Sequence, residues 1–181
     1  MDLVAVVATA LWAMLPAYLP NNVAVVAGGG RPIDGGYTLG GDRLLGDGKT
    51  WRGTAAGTLA GGLLGLALDQ LAGSVASAIG IPLPGFPIAA VIGLPVGAMG
   101  GDLAASFLKR RTGRARGAAA PGLDQLDFVL GALLVSAVVA PGWFAGTFTP
   151  PVLLAVLVIT PLLHVGTNAI AYLLGIKNEP W

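Results

Sequence analysis

Five apolar runs divide this chain, and its lysines and arginines are confined to the segments outside them. The runs cover about 3–27, 53–78, 84–108, 125–140 and 151–176. A helix needs about 20 apolar residues to cross the hydrocarbon core of a bilayer. Each run is about long enough, the fourth only with the residues around Asp124. Arg31, Arg43, Lys49 and Arg52 lie in the first connection, Lys109, Arg110, Arg111, Arg114 and Arg116 in the third, and Lys177 in the tail. With five spans these segments share one side, so all ten cations fall there. Four or six spans would split them. A membrane protein keeps its lysines and arginines on the cytoplasmic side. The expectation is therefore an all-α integral membrane protein of the cell membrane, a single domain over 1–181 with five transmembrane helices. Its N-terminus is expected outside, and its C-terminus and active site in the cytoplasm.

Composition agrees. The chain is 55% hydrophobic and 10% charged, against roughly 25% charged in soluble domains, too little polar surface to cover a water-facing globule. The N-terminal run has no basic segment before it and carries Asp2, so it reads as a span rather than a cleaved signal. Without cysteine, disulfides and thiolate metal sites are excluded. Abundant glycine and alanine, as in GTAAGTLAGGLLG, suit close packing of membrane helices.

The remaining charge is concentrated in residues 100–127, which hold five of the ten basic and three of the nine acidic residues. Asp102, Ser106 and Lys109 are spaced four and three apart, so on a helix they share one face. Ionisable groups within a span face polar cavities, although an Asp–Lys pair there could be purely structural. Asp124 and Asp127 follow a Pro-Gly break. Either Asp124 caps the fourth span and Asp127 joins its first turn, or the pair holds a cation. Aspartate is a hard oxygen ligand suited to Mg²⁺ shared with substrate phosphates, which makes Asp102, Asp124 and Asp127 the candidate metal ligands. The basic run from Lys109 to Arg116 has two readings as well: anchoring to anionic membrane lipids, or phosphate binding by Arg110 and Arg116 among others.

In the first connection, GDGKTWRG resembles part of a phosphate-binding P-loop, but Arg43 stands where its first glycine belongs and no strand precedes it. Lys49, Thr50 and Arg52 remain candidate phosphate ligands on a flexible glycine-rich loop, with Asn22 in the second half of the first run. Of Asp34, Asp42 and Asp47, at least two read as solvated turn residues. His164 and Asn168, four apart in the fifth run, share one helix face and read as an interhelical hydrogen bond. A lone histidine makes no zinc site.

The segments S-F-L-K-R-R and P-G-L-D-Q-L-D resemble the signature of the CTP-dependent phosphatidate cytidylyltransferases, Ser-x-x-Lys-Arg followed by Asp-x-x-Asp. Ser106, Lys109, Arg110, Asp124 and Asp127 match it position by position. That family usually carries His-Gly-Gly before the acids and Arg between them, where this chain has Ala120-Pro121-Gly122 and Gln125. Its bacterial members are also longer. The stretches PIDGGYTLGGDRLLGDGKTWRG and PLLHVGTNAIAYLLGIK and the terminal PW resemble the archaeal CDP-archaeol synthases, short five-span members of the same superfamily, along essentially the whole chain. That resemblance implies transfer of a cytidylyl group from CTP to an unsaturated isoprenoid glycerol-phosphate lipid, with Mg²⁺, yielding CDP-archaeol and pyrophosphate. It implies Lys109, Asp124 and Asp127 as catalytic residues, and no nucleic-acid partner.

The residues fit such chemistry. Two anionic reactants must be brought together, and carboxylate-held metal with a ring of cations does this. A small multi-pass transporter and an enzyme resembling the CDP-alcohol phosphotransferases are the alternatives. The latter's D-x-x-D-G and D-x-x-x-D spacing is absent here.

Overall fold

The computed structural model describes residues 2–113 and 122–173. Helix α1 is Leu3–Val26, opened by Asp2, whose carboxylate accepts from the Ala5 N–H at 2.7 Å. A two-stranded hairpin follows, β1 Thr38–Leu39 and β2 Asp42–Arg43. Helices α2 Trp51–Ile79, α3 Ile88–Arg111 and α4 Leu123–Val139 come next, then a short α5, Pro141–Thr147, and α6, Pro150–Leu173.

Three local expectations change. The third run was expected to start near Pro84, but Pro82, Pro84 and Pro87 withhold backbone donors and the helix begins at Ile88. The connection after α4 contains a helix, started by Pro141 at its first position. The first connection is folded rather than a flexible loop. Gly40 and Gly41 between its strands both have positive φ, 66° and 92°, the backbone that a tight hairpin turn demands.

Among the described residues, α1, α2, α3 and residues Pro150–Thr167 of α6 are long and apolar enough to cross a membrane. Helix α4 has 17 residues, about 25 Å at 1.5 Å per residue. It runs antiparallel along α3: Gly93 faces Ser136 and Val139, Gly97 faces Gly131 and Ala132, and Gly101 faces the Asp127 carbonyl.

Lipid offers apolar side chains no hydrophobic reason to associate, so packing depends on close backbone approach. Two glycine columns supply it. Gly53, Gly57 and Gly61, spaced four apart on α2, lie against the carbonyls of Ala24, Pro20 and Pro16 on α1. Pro20 has no N–H, so the Pro16 carbonyl lacks its usual helical donor; Gly61 packs directly on that oxygen. Gly93, Gly97 and Gly101 form the second column, on α3 against α4. Between the two pairs lie the fully buried Met14, Leu94, Val129, Val152 and Val156. Leu59, Leu63, Leu130, Leu134, Leu154 and Leu162 point outward, as suits a surface facing hydrocarbon.

The end of the bundle away from the cations is tied by polar groups to one irregular segment. The Trp12 indole donates to the Pro84 carbonyl at 2.9 Å and the Trp143 indole to the Gly85 carbonyl at 2.7 Å. Asp69, within the second apolar run, accepts from the Phe86 N–H at 2.7 Å.

Candidate active site

The other end of the bundle gathers the C-terminal ends of α1, α3 and α6, the N-terminal ends of α2 and α4, and the hairpin connection. A cavity of about 390 Å³ opens among them. Asn22 of α1, Lys49 and Thr50 before α2, Asp102 of α3, and Asp124 and Asp127 of α4 line it, so six expected site residues border one cavity. Tyr18, Val25, Met99, Phe128 and Leu163 supply less polar lining.

The glycine column on α3 places the acids. Because Gly101 lies on the Asp127 main chain, the next residue, Asp102, is held beside the Asp127 carboxylate, near enough for their charges to interact. Lysines from two different elements answer the acids. Lys49 Nζ lies 2.6 Å from Asp102 Oδ2, and Lys109 Nζ lies 2.7 Å from Asp124 Oδ1. Lys109 thus reaches across to α4 instead of pairing with Asp102 on its own helix face.

The capping alternative for Asp124 does not hold. Helix α4 is capped at Gly122, whose N–H donates to Gln125 Oε1 at 3.1 Å. Asp127 is buried and accepts from the Phe128 N–H at 2.6 Å. Neither acid occupies the cap position, although Asp124 lies in the first turn. Among the described residues no three acidic or histidine side chains come close enough together to hold a metal ion between them. The donors are nevertheless hard oxygens lining one cavity, and Mg²⁺ typically takes only one or two carboxylates and completes its shell with phosphate oxygens and water. The set fits a cation that is shared with a phosphate ligand.

The other expected residues lie elsewhere. Arg52 donates from Nε to the Ala27 carbonyl at 2.8 Å and from Nη2 to the Gly28 carbonyl, a cation on the exposed carbonyls at the end of α1. Ser106 is buried in α3. Neither it nor Arg52, Lys109 or Arg110 lines the cavity. Thr50 caps α2, accepting from Gly53 N–H at 3.1 Å, while it lines the cavity. Arg116, Arg114 and Lys177 lie outside the described residues, as does the Asn168 side chain. His164 lines the cavity.

Several lining residues were missed. Tyr18 Oη shares a 2.8 Å hydrogen bond with Thr160 Oγ1, joining α1 to α6, and its ring packs edge-on to Phe128. A readable signal existed: Tyr18, Asn21 and Asn22 are three and four apart, and Thr160, His164 and Thr167 are four and three apart. Each set forms a polar stripe on an apolar helix. Two of the three acids in the first connection are solvated as expected, and Asp34, which lies outside the cavity lining, is the exception. Asp42 and Asp47 are exposed, but the Asp34 side chain is only 1% exposed. The Arg43 guanidinium beside it, at 2.5 Å, holds its carboxyl well below the usual carboxylate range. Burial opposes this, and the N–H groups of Leu45, Gly46 and Gly36 reinforce it.

Comparison with known proteins agrees along the whole length. The family model described as CDP-archaeol synthase (CarS-like) matches residues 3–181. The chain is 67% identical to the CDP-archaeol synthase of Haloarcula marismortui and 64% identical to that of Halobacterium salinarum, in both cases over all of each chain. It is 49% identical to that of Methanosarcina mazei, covering 93% of this chain and 100% of the relative. A solved structure described as an intramembrane enzyme for archaeal membrane lipids biosynthesis superposes with a TM-score of 0.71. It is 43% identical, covering 88% of this chain and 92% of that one. With its apolar helices and the cavity at one end of them, the chain is a membrane-embedded enzyme of the CDP-archaeol synthase family.

Proposed function

We propose that this protein transfers the cytidylyl group of CTP to an unsaturated archaeal ether-lipid phosphate, 2,3-bis-O-geranylgeranylglycerol 1-phosphate, releasing pyrophosphate and leaving CDP-archaeol in the membrane. The observation that carries this reading is a single cavity that joins two kinds of wall. Lys49, Asp102, Asp124 and Asp127 suit a metal-bound triphosphate, while Val25, Phe128 and Leu163 suit the lipid side. A water-soluble nucleotide and a bilayer-bound phosphate can meet only where both surfaces are present.

In this reaction an oxygen of the lipid phosphate forms a bond to the α-phosphorus of CTP. The bond from that phosphorus to the bridging oxygen breaks, and the electron pair leaves with pyrophosphate. The nucleophile is already ionised near neutral pH, so no strong general base is required. Catalysis then consists of positioning and charge stabilisation. Lys49 and Lys109 screen the triphosphate and stabilise charge on the departing pyrophosphate, exchanging their carboxylate partners for phosphate oxygens. Asp102, Asp124 and Asp127 are the carboxylates that would hold Mg²⁺, one or two of them at a time with phosphate oxygens completing the shell; the ion would supply charge neutralisation for the phosphates. Arg110 and Arg116 add positive charge to the same basic run as Lys109, which favours a polyanionic substrate. In this reading α4 is the fifth crossing, supported by its antiparallel packing along α3, and the one-sided lysines and arginines support a cytoplasmic mouth with the N-terminus outside.

Purified protein with CTP labelled at the α-phosphate and the lipid phosphate tests the reading. Label should move into the organic phase, with one pyrophosphate released per lipid labelled. Label that stays water-soluble would sink the proposal. Consumption of CDP-lipid would indicate a phosphotransferase, and vesicle uptake of unaltered substrate a transporter.

A further inference from the structure

Asp34 takes no part in the cavity wall, yet it is the most heavily bonded side chain in the first connection. Its Oδ1 accepts from the Gly36 N–H at 3.1 Å and from Arg43 Nη2 at 2.5 Å. Its Oδ2 accepts from Arg43 Nε at 3.2 Å and from the N–H groups of Leu45 and Gly46 at 3.0 and 3.1 Å. This buried carboxylate binds the start of the connection to its end. Two backbone bonds then carry the order into the site. The Ile33 N–H donates to the Lys49 carbonyl at 2.9 Å, and the Lys49 N–H to the Gly46 carbonyl at 3.2 Å. Lys49 is therefore held by the residue before Asp34 and by a residue that Asp34 binds.

Among the described residues, a side chain of α3 fastens the hairpin to the bundle. Arg111, at the end of α3, donates to the carbonyls of Leu39, Asp42 and Arg43, the last two at 3.2 and 3.0 Å. Its guanidinium sits 5.5 Å from the centre of the Phe107 ring. Helix α3 also carries Asp102, the partner of Lys49.

We propose that Asp34 is a positioning residue: it folds the connection so that Lys49 and Thr50 stand at the cavity wall before any nucleotide arrives, with Arg111 anchoring that fold to α3. The energetic reason is chain entropy. Nine of the 21 residues in 28–48 are glycine, and glycine loses more freedom on ordering than any other residue. Unless the connection is ordered in advance, the cost of ordering it falls on ligand binding and weakens it.

The role can be read without turnover. The chain has three lysines, Lys49, Lys109 and Lys177, and amine acetylation followed by mass spectrometry reports each one separately. In Asp34→Asn the amide cannot accept from every donor the carboxylate serves. Acetylation of Lys49 should then rise by about threefold or more through local opening, with Lys109 unchanged. An unchanged Lys49 rate would overturn the proposal. So would equal rises at Lys49 and Lys109, which would mean general loosening. In the transfer assay, on which this second arm rests, Asp34→Asn and Arg111→Ala should each raise KM for CTP about tenfold, the equivalent of one charge-assisted hydrogen bond, with kcat changed less. Loss of kcat at unchanged KM, in step with a lower unfolding temperature, would assign Asp34 to folding alone. A wild-type enzyme that makes no CDP-lipid would refute the proposed reaction, leaving the acetylation result to decide the role of Asp34.

Discussion

Gly101 of α3 and Asp127 of α4 meet backbone to backbone: a methyl group built on Gly101 would collide with the Asp127 carbonyl and press against the Gly131 Cα. This contact sets the spacing of the two helices where the acids converge. Gly101→Ala should therefore lower both stability and turnover, by about 1–3 kcal/mol for overpacking. Its neighbour Gly100 meets nothing within 4 Å. Gly100→Ala should be neutral or more stable by up to about 1 kcal/mol, because it removes glycine's excess freedom from a helix. Thermal unfolding and turnover of the two variants in parallel check this; equal effects would refute the steric account.

Asp124→Asn and Asp127→Asn should each cut cytidylyl transfer by at least about a hundredfold while leaving the protein folded, the usual scale for removing a charged stabilising group from a reacting site. Because α4 is capped at Gly122, lost activity cannot be charged to a lost cap. Removing Mg²⁺ with a chelator should stop turnover without shifting the unfolding midpoint greatly, and restoring it should recover activity. Near-normal rates in both variants at saturating CTP would remove the metal site from these residues.

Lys109→Ala should raise the CTP requirement about tenfold or more, since it deletes a charge from the phosphate field and leaves Asp124 without its 2.7 Å partner. Steady-state kinetics against CTP measure it. Unaltered kinetics would confine the basic run to membrane anchoring.

Topology can be read with single cysteines, because the chain has none of its own. Cysteine at Gly80 should react with an impermeant reagent applied to intact cells, and cysteine at Asp42 only after the membrane is opened. The reverse pattern would invert the orientation.

Acid should spare the hairpin connection. A free aspartate titrates near about pH 4, and Asp34 is held well below that range by Arg43. A carboxylate with a depressed folded value contributes stability that is present above its unfolded value and lost only as the pH falls through the folded one. Hydrogen exchange at the Leu45 and Gly46 N–H groups, corrected for intrinsic rates, should therefore show the same protection at about pH 4 as at neutrality. Loss of protection between about pH 5 and 4 would contradict it.

The helices were legible because hydropathy and helix length are local properties, and the apolar runs coincide with α1, α2, α3 and α6 to within a few residues. The site was legible as a set of residue types, since acids and lysines within apolar surroundings stand out. Their pairing was not. Asp102 and Lys109 share a helix face but lie about 10 Å apart along the axis at 1.5 Å per residue, and each finds a nearer partner on another element. The order of the first connection was hidden for a similar reason. The donors to Asp34 at Arg43, Leu45 and Gly46 come from nine to twelve residues away, beyond any turn motif, and nine glycines among 21 residues resemble slack chain until that carboxylate is placed.

The two glycine columns also fix where this chain is free to drift. At Gly57, Gly61, Gly97, Gly101 and Gly131 a single added carbon meets another helix's backbone or a proline ring, whereas Leu59, Leu63, Leu130 and Leu134, a few positions away on the same helices, face outward. A saturation library scored for folded protein should therefore trace the lipid boundary around each helix: intolerant seams four residues apart, bordered by stripes where almost any apolar side chain will serve.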